Sequence, residues 1–138
     1  MPSSIEVLDL IEQFKTQFPL AFSEEIESLQ ARHFDCQLDF GFPAAVFLEQ
    51  ICDRVNAAIS SNDLRLVEHY FRFFSQAYTH TSDDFTRQII DVAFVENLFL
   101  TVTPITQISW AWKILPTNLK SLYLNMWGDP VKRFGITN

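Results

Sequence analysis

The sequence predicts an all-α protein, an antiparallel helical bundle of about six to seven helices. Three observations carry this. Apolar residues recur at three- and four-residue spacing along nearly the whole chain. No stretch alternates apolar and polar with the period of two that a half-buried strand requires. Only three glycines and six prolines punctuate 138 residues, too few for the many turns of an all-β fold. At 48% hydrophobic residues, 14 of them Phe, the chain can bury a core without staples and is far from disorder in composition. It reads as one helical domain over 1–128 with a loosely held C-terminal tail over 129–138.

Ser3-Ser4-Ile5-Glu6 has the pattern of a capping box, and Val7, Ile11, Phe14 and Phe18 then form one apolar stripe up to Pro19. Glu6, Asp9 and Glu12 fall on the opposite face, toward water. Ser23, followed by Glu24 and Glu25, is expected to cap a second helix whose inner line is Phe22, Ile26, Leu29 and His33. Residues 34–42 read as a loop. Pro43 suits the first turn of a third helix with Phe47, Ile51, Val55, Ala58 and Ile59 inward, and Ser60-Ser61-Asn62-Asp63 ends it and caps the next.

The fourth helix carries Val67, Tyr70, Phe71, Phe74, Ala77 and Tyr78 on a face widened by Leu66 and Phe73, which suits a helix with neighbours on two sides. Ser82-Asp83-Asp84 opens a fifth, with Phe85, Ile89, Val92 and Phe99 on one side and Ile90, Phe94 and Leu98 on the other. Thr103-Pro104 opens a short sixth through Trp110, Trp112 and Leu115, and Pro116 starts a seventh ending near Trp127-Gly128. Phe47, Gln50, Ile51 and Asp53 recur as Phe85, Gln88, Ile89 and Asp91 at a constant offset of 38 residues. Helix-pair repeats of a solenoid leave such a mark, and so do unrelated amphipathic helices.

Charge is distributed unevenly. The chain carries net −7, yet residues 1–53 hold ten acids and two bases, net −8, while residues 54–138 hold seven acids and eight bases, net +1. A phosphate-tracking protein needs a basic footprint, so nucleic acid is disfavoured as a direct partner and a cationic protein is favoured. The two cysteines, Cys36 and Cys52, lack metal-ligand or redox spacing and read as free thiols. The N-terminus has no basic region followed by an apolar run, and no stretch has the length of a membrane span, so a cytoplasmic protein without membrane contact is expected.

The chemistry-bearing residue types fall short of a catalytic constellation. His33 and Cys36 have an H-x-x-C spacing, but His69 and His80 lie far along the chain, and zinc needs three or four ligands converging on one point. No Gly-rich phosphate cradle or nucleophile elbow is present. The carboxylate pairs Glu49/Asp53 and Asp83/Asp84 read as a solvated helix face and as cap residues, without the contrast of environments that acid–base catalysis requires. A non-enzyme without cofactor or metal is therefore expected. Glu96 falls within the apolar stripe of the fifth helix and is expected to be buried, pinning the start of the sixth near Thr106 and Trp110. The rings of Tyr70-Phe71-Arg72-Phe73-Phe74 fall at helical spacing and read as core, whereas Trp110 and Trp112, two apart on a helix, cannot both point inward.

The stretch from Arg54 to Trp127 resembles a family of small, acidic, all-helical bacterial proteins of largely unassigned function, similar to candidate immunity proteins of toxin–immunity systems. The resemblance rests on Val67-Glu68-His69-Tyr70-Phe71-Arg72-Phe73-Phe74, on Val92-Ala93-Phe94-Val95-Glu96-Asn97-Leu98, and above all on Trp110-Ala111-Trp112-Lys113-Ile114-Leu115-Pro116 with Leu119-Lys120. It implies a scaffold that occludes a cognate toxin, and it supplies no catalytic residue. A toxin with a basic active-site surface, a nuclease domain being one case, would meet an acidic inhibitor. Joined to the charge asymmetry, this makes Glu6, Asp9, Glu12, Glu24, Glu25, Glu27, Asp35 and Asp39 the candidate partner-binding residues. The alternative is a helical-repeat adaptor that holds a peptide or partner helix in an aromatic groove near Trp110 and Trp112.

Overall fold

Phe14 shows how the apolar spacing becomes a core. Its ring lies within 4.8–6.2 Å of Phe18, Phe47, Tyr70, Phe73 and Phe74, rings delivered by three other stretches of chain. The computed structural model that places them describes residues 3–136, with side chains from Glu6 onward, so the serines of the expected capping box lie outside the described side chains. Eight α-helices follow in order: α1 (Ser3–Gln17), α2 (Pro19–Ala31), α3 (Ala44–Ser60), α4 (Leu64–His80), α5 (Asp84–Ile89), α6 (Ile108–Ile114), α7 (Thr117–Trp127) and α8 (Pro130–Arg133). Between α5 and α6 run a π-helical segment, Ile90–Phe94, and two 3₁₀ turns, Val95–Asn97 and Ile105–Gln107. Among the described residues there is no strand, and no helix is long and apolar enough to cross a membrane.

The stripe of α1 is buried as its spacing predicts: Val7, Leu10, Ile11, Phe14 and Phe18 all face inward. The entry to α2 differs from expectation. Pro19 occupies the first turn, Phe18 precedes it, and Ser23 lies inside the helix. Proline tolerates that position because its missing N–H would be unpaired there anyway. The Phe18 N–H donates to the Phe14 carbonyl and the Phe22 N–H to that of Phe18, both at 2.8 Å, so α1 passes into α2 without a loop. His33 falls beyond the end of α2 at φ 71°, exposed rather than on an inner line. Asp63 and Asp83 cap α4 and α5 as expected, accepting from the backbone amides of Leu66 and Thr86.

α3 is the central element, packed against α1, α2, α4, α5 and the π segment. The chief departure from the sequence reading lies where its far face meets residues 90–103. The expected long fifth helix stops at Ile89, and the π turn puts an extra residue into the next turn, which rotates everything after it. Beyond the break Ile90, Ala93, Phe94, Val95, Leu98 and Phe99 face inward and Val92 is nearly half exposed; Phe85, in the first turn of α5 ahead of the break, is nearly half exposed as well. Glu96 is half-buried rather than buried, and its backbone carbonyl, not its carboxylate, makes the fixing bond, accepting from the Trp127 indole N–H at 2.9 Å. The straight-helix wheel placed Glu96 inside; the π turn moves it out.

Breaking the helix here frees backbone polar groups inside the protein, and each must find a partner. α3 provides them at four-residue intervals. Cys52 Sγ donates to the Phe94 carbonyl at 3.1 Å. Asn56, wholly buried, donates to the Asn97 carbonyl at 3.0 Å and accepts from the Phe99 N–H at 2.8 Å. Ser60 Oγ accepts from the Thr103 N–H at 2.9 Å. Phe99 sits at φ 75°, a conformation costly for a bulky side chain, and the Asn56 clamp helps to hold it there.

The end of the chain, expected to hang loosely from Asp129, forms α8 as far as Arg133, with Pro130 buried. Arg133 donates to the Tyr123 hydroxyl at 2.9 Å and stacks 3.7 Å from the Trp127 ring centre, and the Ile136 N–H returns to the Val131 carbonyl. Of the residues related by the 38-residue offset, Ile51 and Ile89 are both buried, but Phe47 is buried where Phe85 is exposed.

Candidate functional site

The eight candidate carboxylates sit on α1, on α2 and in the loop that joins α2 to α3, and they divide into two groups by what they touch. Three are tied into the fold. Glu6 is half-buried and accepts from the Thr81 hydroxyl at 2.7 Å, fastening α1 to the α4–α5 turn. Glu24 and Glu25 both bind Arg54 of α3, with Arg54 Nη2 2.6 Å from Glu24 Oε1 and 2.9 Å from Glu25 Oε2. Burial alone would lower the pKa of the Arg54 guanidinium, but its hydrogen bonds to the two glutamates outweigh that and raise it. Gln50 completes this α2–α3 clamp, donating to Glu25 and accepting from Arg32.

The other five face water. Asp9, Glu12 and Glu27 are exposed on their helices. Asp35 accepts from the Gln37 amide at 3.1 Å and Asp39 from the Gly41 amide at 2.8 Å, side-chain turns that shape the loop and leave the negative charge in place. The two cations of the same stretch are engaged elsewhere: Lys15 lies over the Phe22 ring and Arg32 over Phe34. Among the described residues the ion pairs are those of Arg54 and one between Arg72 and Glu68, so none neutralises these five.

The candidates do not converge on one cavity. Glu6 and Asp9 line a polar groove of about 350 Å³ between α1 and α4 that also holds Gln13, Gln76 and His80. Glu27 lines a shallower groove with Lys15 and Pro19. Among the described residues Asp39 is the one acid lining an apolar cleft of about 500 Å³ between α1, residues 39–46 and α5. Two exposed rings stand at this cleft: Phe40 is 68% exposed and Phe85 46%. Sequence reasoning missed it, because Phe85 was assigned to the interior and Phe40 to a featureless loop. An aromatic set between Asp39 and Gly41 in that loop was the available signal.

Trp110 and Trp112 are both half-buried and have intramolecular partners. The Trp110 indole donates to Gln107 at 3.0 Å, and Trp112 packs on Phe99 and Tyr123 beneath the Lys120 ammonium. Both thiols are free; Cys52 is fully buried, which pushes its pKa well up, and the charge of Asp53 adds to the effect. Asp91 is pushed up by partial burial and then by the neighbouring charge of Glu96. Among the described residues no three His, Cys, Asp or Glu side chains gather as metal ligands. The arrangement leaves several carboxylates and the rings of Phe40 and Phe85 exposed.

No curated protein and no solved structure matches the chain. A family model does, over residues 11–128, from the middle of α1 to the glycine that ends α7, and the chain belongs to that family, described as a domain of unknown function (DUF7674).

Proposed function

We propose that this chain is an immunity-type protein that binds and neutralises a cognate bacterial toxin through an acidic surface on α1, α2 and the loop between α2 and α3. The observation that supports the reading is the set of five exposed carboxylates, Asp9, Glu12, Glu27, Asp35 and Asp39, with no ion pair among the described residues, while Lys15 and Arg32 lie over the Phe22 and Phe34 rings. Anions left unanswered in this way raise the local potential and speed association with a basic surface. Glu6, Glu24 and Glu25 then serve chiefly to brace that surface. The protein works without catalysis or cofactor, in the cytoplasm where free thiols persist, and the antiparallel helices, whether or not they descend from a repeated pair, act as a rigid scaffold. An adaptor gripping a peptide beside Trp110 and Trp112 has less support, since both indoles already have partners within the chain.

The test is coexpression with the C-terminal domain of the protein encoded beside it, read as relief of growth arrest, together with binding of the purified pair across a salt series. The expected result is rescue, with association that slows as salt rises and slows further in the variant Asp9→Asn/Glu12→Gln/Glu27→Gln/Asp35→Asn/Asp39→Asn. Rescue by that variant at native affinity, with binding indifferent to salt, overturns the assignment of the acidic surface.

A further inference from the structure

The cleft between α1, residues 39–46 and α5 has an apolar floor and an anionic surround. Leu8, Pro43 and Val46 line it, with Phe40 and Phe85 exposed beside them. Among the described residues its lining contains no Lys, Arg or His, and Asp39 is its one charged member. Further carboxylates follow from the geometry of the elements that build it. Glu12 lies one turn beyond Leu8; Glu49 lies one turn beyond Ala45; Asp84 precedes Phe85; all three are exposed. The bases closest in sequence are directed elsewhere, Lys15 over Phe22 and Arg87 over the Tyr78 ring.

We infer that this cleft seats a cationic amphipathic segment of a partner protein, with apolar side chains between Phe40 and Phe85 and Lys or Arg side chains against the surrounding carboxylates. Charge complementarity selects this occupant: an anionic segment would be repelled by Asp39 and the carboxylates of the adjoining turns, and a purely polar one would leave the two rings in water. The inference rests on the reading of the chain as a binder of basic protein surface, and it locates on that surface the apolar anchor that long-range charge cannot supply.

The test titrates the isotopically labelled full chain with three short helix-forming peptides, followed by backbone amide shifts. One carries Leu on one face and Lys on the other, the second has every Leu replaced by Ser, and the third has every Lys replaced by Glu. The Leu/Lys peptide is expected to shift the amides of Leu8, Phe40, Ala45 and Phe85 and to bind about tenfold tighter than the Ser/Lys peptide. Phe40→Ser, with its ring mostly in water, should remove that advantage without lowering Tm, and Phe40→Ser/Phe85→Ser should remove it as fully. Equal binding of the two Lys peptides, with shifts at Asp9, Glu27 and Asp35 and a silent cleft, overturns the inference and leaves the acidic surface standing. No binding of either at low salt overturns both. Equal binding of the Leu/Glu peptide overturns the cationic occupant. Cleft shifts that grow with protein concentration alone, and vanish in Phe40→Ser, show instead that a second copy covers it.

Discussion

Replacing Asn56 with Leu isolates the energetic role of the clamp on residues 97–99. The two side chains are similar in size, so the substitution removes hydrogen bonds while opening little space. Two backbone groups lose their partner: the N–H of Phe99, which is 1% exposed, and the carbonyl of half-buried Asn97. A buried donor left unpaired costs about 1–3 kcal/mol, and the carbonyl, nearer to water, costs less, giving about 2–4 kcal/mol in total. At roughly 3–4 °C per kcal/mol for a chain of this length, Tm should fall by about 6–16 °C. Thermal and urea unfolding followed by circular dichroism measure it, with the urea slope unchanged. Ser60→Ala is the internal comparison: the Thr103 amide it releases belongs to an exposed residue, water can replace the hydroxyl, and the loss should stay below about 1 kcal/mol. Native-like stability of Asn56→Leu, or an equal cost for Ser60→Ala, would refute the account of how the broken helix is stabilised.

Four further outcomes are expected. Phe14→Ala removes the ring at the centre of the aromatic cluster and should cost about 3–5 kcal/mol in urea unfolding. Asp91→Asn should stabilise the fold near neutral pH: burial and Glu96 raise the folded pKa above the unfolded value, so the native carboxyl loses stability as pH rises through that window, and urea midpoints should converge toward acid pH. A thiol reagent should label half-buried Cys36 in the folded protein and reach Cys52 only after denaturant is added, as mass spectrometry of peptides would show. Arg54→Gln should destabilise the α2–α3 contact by releasing Glu24 and Glu25 to repel each other; a denaturation midpoint that fails to recover part of the loss at high salt would contradict that cause.

Much of the fold is legible locally. The α1 stripe, the Asp63 and Asp83 caps, the broad face of α4 and the Gly128 end of α7 all depend on short-range periodicity and capping chemistry, which act within a few residues. Glu96 was misplaced for one reason. A single extra residue in a turn rotates everything downstream, and nothing in 83–99 announces it, because the stabilising groups are Cys52 and Asn56 on another helix. The candidate acids were likewise visible as a list, but not their partition, since Arg54, counted with the balanced remainder of the chain, turns back to bind Glu24 and Glu25.

By itself, then, the sequence determined that the chain is helical, where α1, α3, α4 and α7 run, and that its opening stretch is anionic, because backbone propensity and charge are properties of neighbouring residues. Tertiary structure alone decided which carboxylates remain unanswered, where the fifth helix breaks, and that Phe40 and Phe85 flank one cleft. Those outcomes depend on which distant side chains arrive at the same place, and close packing together with the need to pair every buried polar group settles that only when the whole chain is folded.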